Sequence, residues 1–155
     1  MAVIIEKESL IGKAIPKMDA PGKVSGHTRY IHDLNLPGQL IGRILRSDRV
    51  HARIISIDTK EAEALPGVHA VITAKDVPNK PLGVTKDNPP LKGDKVRCER
   101  DEIAAVAAET EALAEQALSL IKVEYEELPT LFDPRQALLE NAPVIQESKP
   151  DNISM

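Results

Sequence analysis

The chain has 155 residues, a net charge of −4 and 42% apolar residues, which favour a single folded domain with tails over a disordered polypeptide. Its only aromatic residues are Tyr30, Tyr125 and Phe132, and no basic stripe occurs, so nucleic acid is an unexpected partner. A single cysteine fits a reducing compartment, and no run of residues suits a signal peptide or a membrane span. We therefore expect a cytoplasmic protein.

The amino-terminal third of the chain predicts an arm followed by strands. Residues 1–23 form an irregular arm, because prolines and a glycine interrupt any sustained period. Residues 27–31 fit a short strand. Residues 40–46 fit either a helix or a strand, but their short length and flanking turns favour a buried strand. Residues 53–58 predict a strand more clearly.

A helix, a strand and a long connection are predicted next. The Asp58 carboxylate can accept a hydrogen bond from the Glu61 amide, which predicts a short helix that runs to Ala64. Residues 68–73 then form another strand. Residues 78–95 contain four prolines and two glycines, so they predict a long connection of the kind that is often functional or mobile.

Two further elements precede the best helix of the chain. Residues 95–98 fit a short strand, whereas the alanine-rich residues 103–108 fit a strand or a helix. Residues 111–121 predict a helix, because Thr110 can cap it and its apolar residues share one face.

The carboxyl-terminal part predicts a strand, a helix and a tail. Residues 122–126 alternate strictly, which is typical of a half-buried strand. Asp133 followed by proline starts a helix that should reach about Leu139. Residues 141–155 predict an extended tail with little to bury. The irregular interleaving of strands and helices indicates an α+β fold.

The four histidines do not follow a metal-ligand pattern. His27, His32 and His69 are expected at the surface or in ordinary hydrogen bonds. His51 follows the polar turn Ser47-Asp48-Arg49, and we favour a structural role for it over a catalytic one, since no partner carboxylate lies nearby in the sequence.

Other reactive residues also favour ordinary roles. Cys98, beside two arginines, would be a thiolate if exposed, but we expect it to be a small apolar residue on a buried strand. The cluster Glu124, Glu126 and Glu127 fits an exposed strand face rather than a general acid and base. The segment Gly22–Gly26 lacks the order of a phosphate loop and predicts a turn. We therefore predict no catalytic, cofactor-binding or metal-binding residue in this chain.

Five stretches in sequence order resemble one known domain. They resemble the α/β hammerhead domain that opens the molybdenum-binding subunit of the xanthine dehydrogenase and aldehyde oxidase family. The stretches cover nearly the whole chain: residues 11–33, 40–58, 64–78, 94–110 and 114–129. Residues 40–46, 81–84 and 117–125 are most similar to the 4-hydroxybenzoyl-CoA reductase branch. The chain departs from the family pattern at Asp48–Arg49 and at residues 99–102, on loops expected to face neighbouring domains.

The resemblance implies a fold and a domain organisation. It implies a hammerhead over residues 24–140, with a mixed sheet of short strands and two or three helices, and it makes residues 103–108 a strand. The tail over residues 141–155 would lead to a molybdopterin-binding domain that lies outside this chain.

The resemblance also implies a role. The parent enzyme would use molybdopterin, expected in its cytosine dinucleotide form, with iron–sulfur clusters and FAD on partner subunits or domains. This chain would pack against the molybdopterin-binding domains without catalysis of its own. The alternatives are a stand-alone interaction module with the same fold, and a small hydrolase that uses His51.

Overall fold

The computed structural model describes residues 12–78, 80–84 and 86–153, which fall into two compact units, Met1–Pro37 and Gly38–Met155. The start of the predicted arm and the last two residues of the predicted tail lie outside the described residues. Within the first unit, a short helix α1 (Ala20–Val24) occupies part of the predicted arm.

The predicted strand over residues 27–31 is wrong. The chain instead forms one 3₁₀ turn at Ile31–Asp33. The Asp33 carboxylate accepts a hydrogen bond from the Tyr30 backbone N–H at 2.8 Å, and the Asp33 N–H donates to the Tyr30 carbonyl at 3.0 Å. These local bonds satisfy backbone groups that a strand would have needed to pair with a neighbour.

The second unit contains two three-stranded sheets in which every strand pairing is antiparallel. One has the order β1-β5-β3 and is named the β5 sheet here, and the other has the order β4-β2-β6 and is named the β2 sheet. The strands are β1 (Ile41–Arg46), β2 (Ala52–Asp58), β3 (Val68–Thr73), β4 (Lys95–Val96), β5 (Glu102–Ala108) and β6 (Lys122–Glu127). The predicted α+β class is confirmed, and the ambiguous alanine-rich segment is the central strand β5.

Helices α2 (Lys60–Glu63), α3 (Glu111–Leu120) and α4 (Pro134–Ala137) complete the second unit. The predicted cap of α3 is confirmed, since the Thr110 hydroxyl accepts a hydrogen bond from the Leu113 N–H at 3.2 Å. The Asp133 carboxylate accepts from the Arg135 N–H at 2.8 Å, as an N-cap of α4 should, but that helix ends before Leu139.

The cap of α2 differs from the prediction. Thr59 is the N-cap residue, and the Asp58 carboxylate accepts from the Lys60 N–H at 3.1 Å rather than from Glu61. This bond joins residues two apart in the chain, which is the geometry of an Asx turn. Asp58 is the last residue of β2, so it precedes the N-cap position.

Strand β5 contributes to two hydrophobic cores. Its residues Ala104, Val106 and Ala108 pack with the buried alanines of α3 in one core. Ile103, which is fully buried, packs in the other core among residues of the β2 sheet.

The long connection between β3 and β4 is confirmed. Among its described residues, the only backbone pairing of strand type joins Leu82 to Asn88. Across residues 12–78, 80–84 and 86–153, no helix has the length and apolar character needed to cross a membrane.

Replacing Ile103 by alanine should lower the free energy of unfolding by about 2–5 kcal/mol, because a fully buried side chain would leave a cavity. Ile55→Ala is the matched control, since Ile55 is 58% exposed and should lose under about 1 kcal/mol. Urea unfolding of both variants measures the difference. Equal losses would contradict the placement of β5 between two cores.

Candidate functional site

The outward face of the β5 sheet carries six apolar residues that are exposed or only partly buried. The strand register places Ala105 between Ile44 and Ile72, and Ala107 between Gly42 and Ala70. We name these six residues the open face. Ile44 is 46% exposed and Ile72 is 37% exposed. None of the six residues has a polar side chain.

The opposite face of the same sheet is covered by helices. Leu45, Val71 and Val106 belong to the core that contains the buried residues of α3. Arg43, on the same side of β1, forms an ion pair with Glu111 and another with Glu115 at 3.1 Å. The six residues of the open face are therefore the alternate set, which points away from the helices.

The β2 sheet provides an internal comparison. The exposed residues of β2 and β6 pair through polar groups, as Arg53 does with Glu126 at 3.2 Å and Ser56 with Glu124 at 2.8 Å. The predicted exposed strand face of the glutamate cluster is thus confirmed. Antiparallel sheets usually place polar residues on the face that meets water. Apart from Ile55, which is 58% exposed, the β2 sheet follows this rule, whereas the open face does not.

His51 is buried in the turn after β1 and is bonded to the backbone at the end of β6. Its side chain is 5% exposed, and Nδ1 lies 2.6 Å from the Pro129 carbonyl oxygen. The His51 carbonyl accepts from the Leu128 N–H at 3.0 Å. These bonds attach the turn after β1 to the end of β6. Nε2 is buried and has no hydrogen-bond partner among the described residues.

The other histidines lie apart from one another in sequence and are exposed. His27 Nδ1 lies 2.8 Å from the Ser25 hydroxyl, and His69 Nε2 lies 3.2 Å from a Glu109 carboxylate oxygen. His32 lies in the 3₁₀ turn. Within the part of the chain that the structure describes, no three histidine, cysteine or acidic residues are arranged to hold a metal ion.

The predicted turn at Gly22–Gly26 is present only in its second half. Gly22 lies in α1, and Gly26 has a φ of +73°, which glycine adopts readily. Helix α1 has only five residues, which is shorter than the helices whose N-termini bind phosphate groups in phosphate loops.

The expectation that Cys98 is buried on a strand is wrong. Strand β4 ends at Val96, and Cys98 is exposed in the turn that follows it. Its Sγ donates to the Asp101 carboxylate at 3.2 Å. Partial burial of the sulfur, together with the bond to Asp101 and its charge, raises the pKa of the Cys98 thiol. The thiol form is therefore favoured despite the neighbouring arginines.

A buried lysine that the sequence pattern did not reveal anchors the long connection. Lys92 is 3% exposed, and its Nζ donates to the Pro89 carbonyl and to Glu102, each at 3.2 Å, with Asp101 3.6 Å away. Burial favours a raised pKa for Glu102, but hydrogen bonds from its own backbone, Arg46 and Lys92 outweigh it and lower the pKa. A charged lysine is tolerated there because two carboxylates surround it.

The two loops that depart from the resembled pattern lie side by side. The Ser47 N–H donates to the Asp101 carbonyl at 2.8 Å, and the Arg100 N–H donates to the Ser47 carbonyl at 2.9 Å. Asp48, Arg49 and Glu99 are exposed beside these bonds. The departures therefore form one continuous patch of surface.

The tail is attached to the domain rather than extended away from it. Glu147 forms ion pairs with Lys95 at 2.5 Å and with Arg97 at 3.0 Å. The hydrogen bond from Lys95 is the main reason that the pKa of Glu147 falls to about 2. The Asn152 side chain donates to two carbonyls, those of Ala137 and Pro143. The prediction that the tail is extended with little to bury is therefore wrong, because these contacts hold it against the domain.

Comparisons with known proteins identify the domain. The family model for the aldehyde oxidase and xanthine dehydrogenase a/b hammerhead domain matches residues 25–129. The chain belongs to this family. The two sheets and few helices described above are thus those of a hammerhead domain, and the resemblance stated from the sequence is confirmed.

Relatives of this hammerhead domain are much longer proteins. The chain is 48% identical to a probable xanthine dehydrogenase subunit of Bacillus subtilis, over 94% of this chain and 19% of the relative. It is 42% identical to the carbon monoxide dehydrogenase large chain of Afipia carboxidovorans, over 83% of this chain and 17% of the relative. The chain therefore spans about a fifth of the length of these relatives.

Solved structures of molybdenum-containing and related enzymes contain a domain with the same fold as this chain. The copper- and molybdenum-containing CO dehydrogenase matches with a TM-score of 0.85 and 36% identity, over 92% of this chain and 19% of that chain. The aldehyde oxidoreductase of Desulfovibrio gigas matches with a TM-score of 0.77 and 36% identity, over 87% of this chain and 16% of that chain.

The ion pairs of Glu147 make the stability of this hammerhead domain depend on pH. Because folding lowers the pKa from 4.5 to about 2, the stabilisation is present above 4.5 and is lost as the pH falls toward 2. Glu147→Gln should unfold at a lower urea concentration than the wild type at pH 7, and the two midpoints should converge near pH 2.

Glu140→Gln is the matched control for this pH series. Glu140 is exposed, so its substitution should leave the urea midpoint close to that of the wild type throughout. A constant difference between Glu147→Gln and the wild type from pH 7 to pH 2 would show that the carboxylate charge is not what holds the tail.

Proposed function

We propose that this hammerhead domain is a packing domain of a molybdenum hydroxylase subunit, and that the open face is covered by the rest of that subunit. The open face carries the proposal. Six apolar positions share one sheet face, whereas the exposed residues of the second sheet, apart from Ile55, include paired polar groups. This contrast indicates a surface that is shielded from water in the assembled protein.

The size of the side chains suits a close contact with another layer of protein. Alanine and glycine in four of the six positions leave the backbone accessible, and the two isoleucines project beside them. Fully burying one isoleucine contributes about 1.5–3 kcal/mol relative to leaving it exposed. Covering the open face would therefore stabilise a contact without any charged pair.

The proposed enzyme would use a molybdopterin cofactor that other parts of the subunit hold. Two observations support this: one relative is named a nicotinate dehydrogenase large molybdopterin subunit, and a structural match contains molybdenum. The open face does not fit such a cofactor, since it offers no polar side chain to the polar edges of a pterin. We therefore place no cofactor on this domain and derive no reaction step from its residues.

The finer points of the sequence analysis belong to the same proposal. We propose that iron–sulfur and flavin groups reside on partner chains or domains, that the cofactor has the cytosine dinucleotide form, and that the protein is cytoplasmic. The 4-hydroxybenzoyl-CoA reductase branch stays a prediction. The domain itself is proposed to be catalytically inactive, and the engagement of His51 by Pro129 supports a structural role for that histidine.

Gly42→Lys tests the open face. A side chain at Gly42 meets no atom within 4 Å, so the variant should fold as the wild type does in the isolated chain. We propose a chimera in which this chain replaces the matched region of the Bacillus subtilis relative. There the lysine would be buried, and the melting temperature of the chimera should fall, while that of the isolated chain should change little.

Gln116→Lys is the matched control, because Gln116 is exposed on α3, away from the open face. It should leave both melting temperatures close to those of the parent proteins. If Gly42→Lys leaves the chimera as stable as Gln116→Lys does, the open face is not a contact surface and the proposed function loses its main support.

A further inference from the structure

Strand β3 differs from the other edge strands of the two sheets. It ends the β5 sheet, and no further strand pairs with its outer side among the described residues. Its sequence, VHAVIT, contains neither proline nor an acidic, lysine or arginine residue. The three other edge strands carry charged side chains, which are Arg43 and Arg46 on β1, Lys95 on β4, and Lys122, Glu124, Glu126 and Glu127 on β6.

Charged residues on edge strands discourage pairing with another strand. Strand β3 has no charged residue of its own, although it is six residues long and contains β-branched apolar residues and a threonine. The Asp76 carboxylate occupies its outer edge only at the Thr73 end. Such an edge is a hazard for aggregation when exposed, so we expect it to be covered by a specific partner in the assembled protein.

The hydrogen bonds at the end of β3 show which backbone groups face its outer edge. The Thr73 N–H donates to the Asp76 carboxylate at 2.8 Å, and the Thr73 carbonyl accepts from the Asp76 N–H at 3.0 Å. The Thr73 backbone therefore points away from β5. Since backbone direction alternates along a strand, the N–H and carbonyl of Val71 face the same outer edge, whereas Ile72 pairs with β5.

A cleft borders this edge. Its volume is about 290 Å³, and its lining includes Val71 and Thr73 from β3 together with residues 54–57 of β2. The polar residues Thr59, Glu63, Lys75 and Asp76 also line it. Among the described residues, strand β4 pairs with β2 at Ala52 and Arg53 alone, and the second half of β2 has no ladder partner on that side. Ile55, at an irregularity in the register of β2, lines the cleft with a side chain that is 58% exposed.

We propose that an extended segment from the rest of the subunit enters this cleft and adds a strand to β3. This rests on the proposed function, because the body that covers the open face must border β3, which supplies Ala70 and Ile72 to that face. The relatives carry about four fifths of their length outside the matched region, so they contain chain to supply such a segment. The segment would pair with Val71 and place an apolar side chain against Ile55.

Val71→Pro tests the added strand. Proline removes the N–H that faces the open edge and leaves the bonds from Ile72 to β5, and edge strands tolerate proline at such positions. Val71→Ala is the matched control, since it removes the same side-chain packing but keeps the N–H. The two variants should have similar melting temperatures in the isolated chain, whereas Val71→Pro should be clearly less stable than Val71→Ala in the Bacillus subtilis chimera.

Hydrogen exchange of the Val71 amide gives a second measurement. In the isolated chain this amide should exchange quickly, and in the chimera it should slow by about ten-fold or more, because a hydrogen bond would protect it. The Ile72 amide should be protected in both proteins, since it bonds to β5. Equal exchange of Val71 in the isolated chain and the chimera would overturn the proposal.

The failures of the two proposals are distinguishable. If Gly42→Lys destabilises the chimera and Val71→Pro matches Val71→Ala, the open face is covered but no strand is added to β3. If Gly42→Lys has no effect on the chimera, the proposed function itself fails. Protection of Val71 in the isolated chain that grows with protein concentration would show that a second copy of this chain occupies the cleft, and would overturn the choice of partner.

Discussion

The alternation of side chains along β5 is the constraint on which the rest of this domain depends. Ala104, Val106 and Ala108 pack under α3, and Ala105 and Ala107 face outward. Ile103, where the pairing with β1 is irregular, packs against the β2 sheet. Because β5 is the central strand, its neighbours β1 and β3 are held in a register that repeats this division. A slip of one residue would bury the open face and expose the core, so the strand pairing determines where the uncovered apolar surface lies.

This arrangement connects the fold to the role that we propose. A domain that buries every apolar face can act alone, whereas this one leaves an apolar sheet face and an uncharged sheet edge side by side on β3. Polar contacts fix the rest of the unit, namely His51 on Pro129, Lys92 between two carboxylates, and Glu147 on Lys95. Those contacts hold loops and the tail of the unit against its sheets.

Local patterns in the sequence predicted the elements whose causes are local. The alternation of apolar and polar residues predicted β6, and the Thr110 cap predicted α3. Each signal depends on residues that are close together in the sequence. Residues 103–108 needed the family resemblance, since their alanine content by itself favours a helix. The attachment of the tail depends on Lys95, which is distant in sequence, and the burial of Lys92 depends on the geometry of a loop. The open face depends on which strands pair. A single segment of sequence therefore reveals none of these features.

A cysteine at position 42 would measure most directly whether the rest of the subunit covers the open face. With Cys98 replaced by serine, Gly42→Cys would be the single thiol of this domain, at a position where a side chain has open space. The rate of alkylation should be high in the isolated domain and much lower in the Bacillus subtilis chimera, once other thiols of the chimera have been removed. Equal rates in the two proteins would contradict the account, because they would show that the open face remains in water.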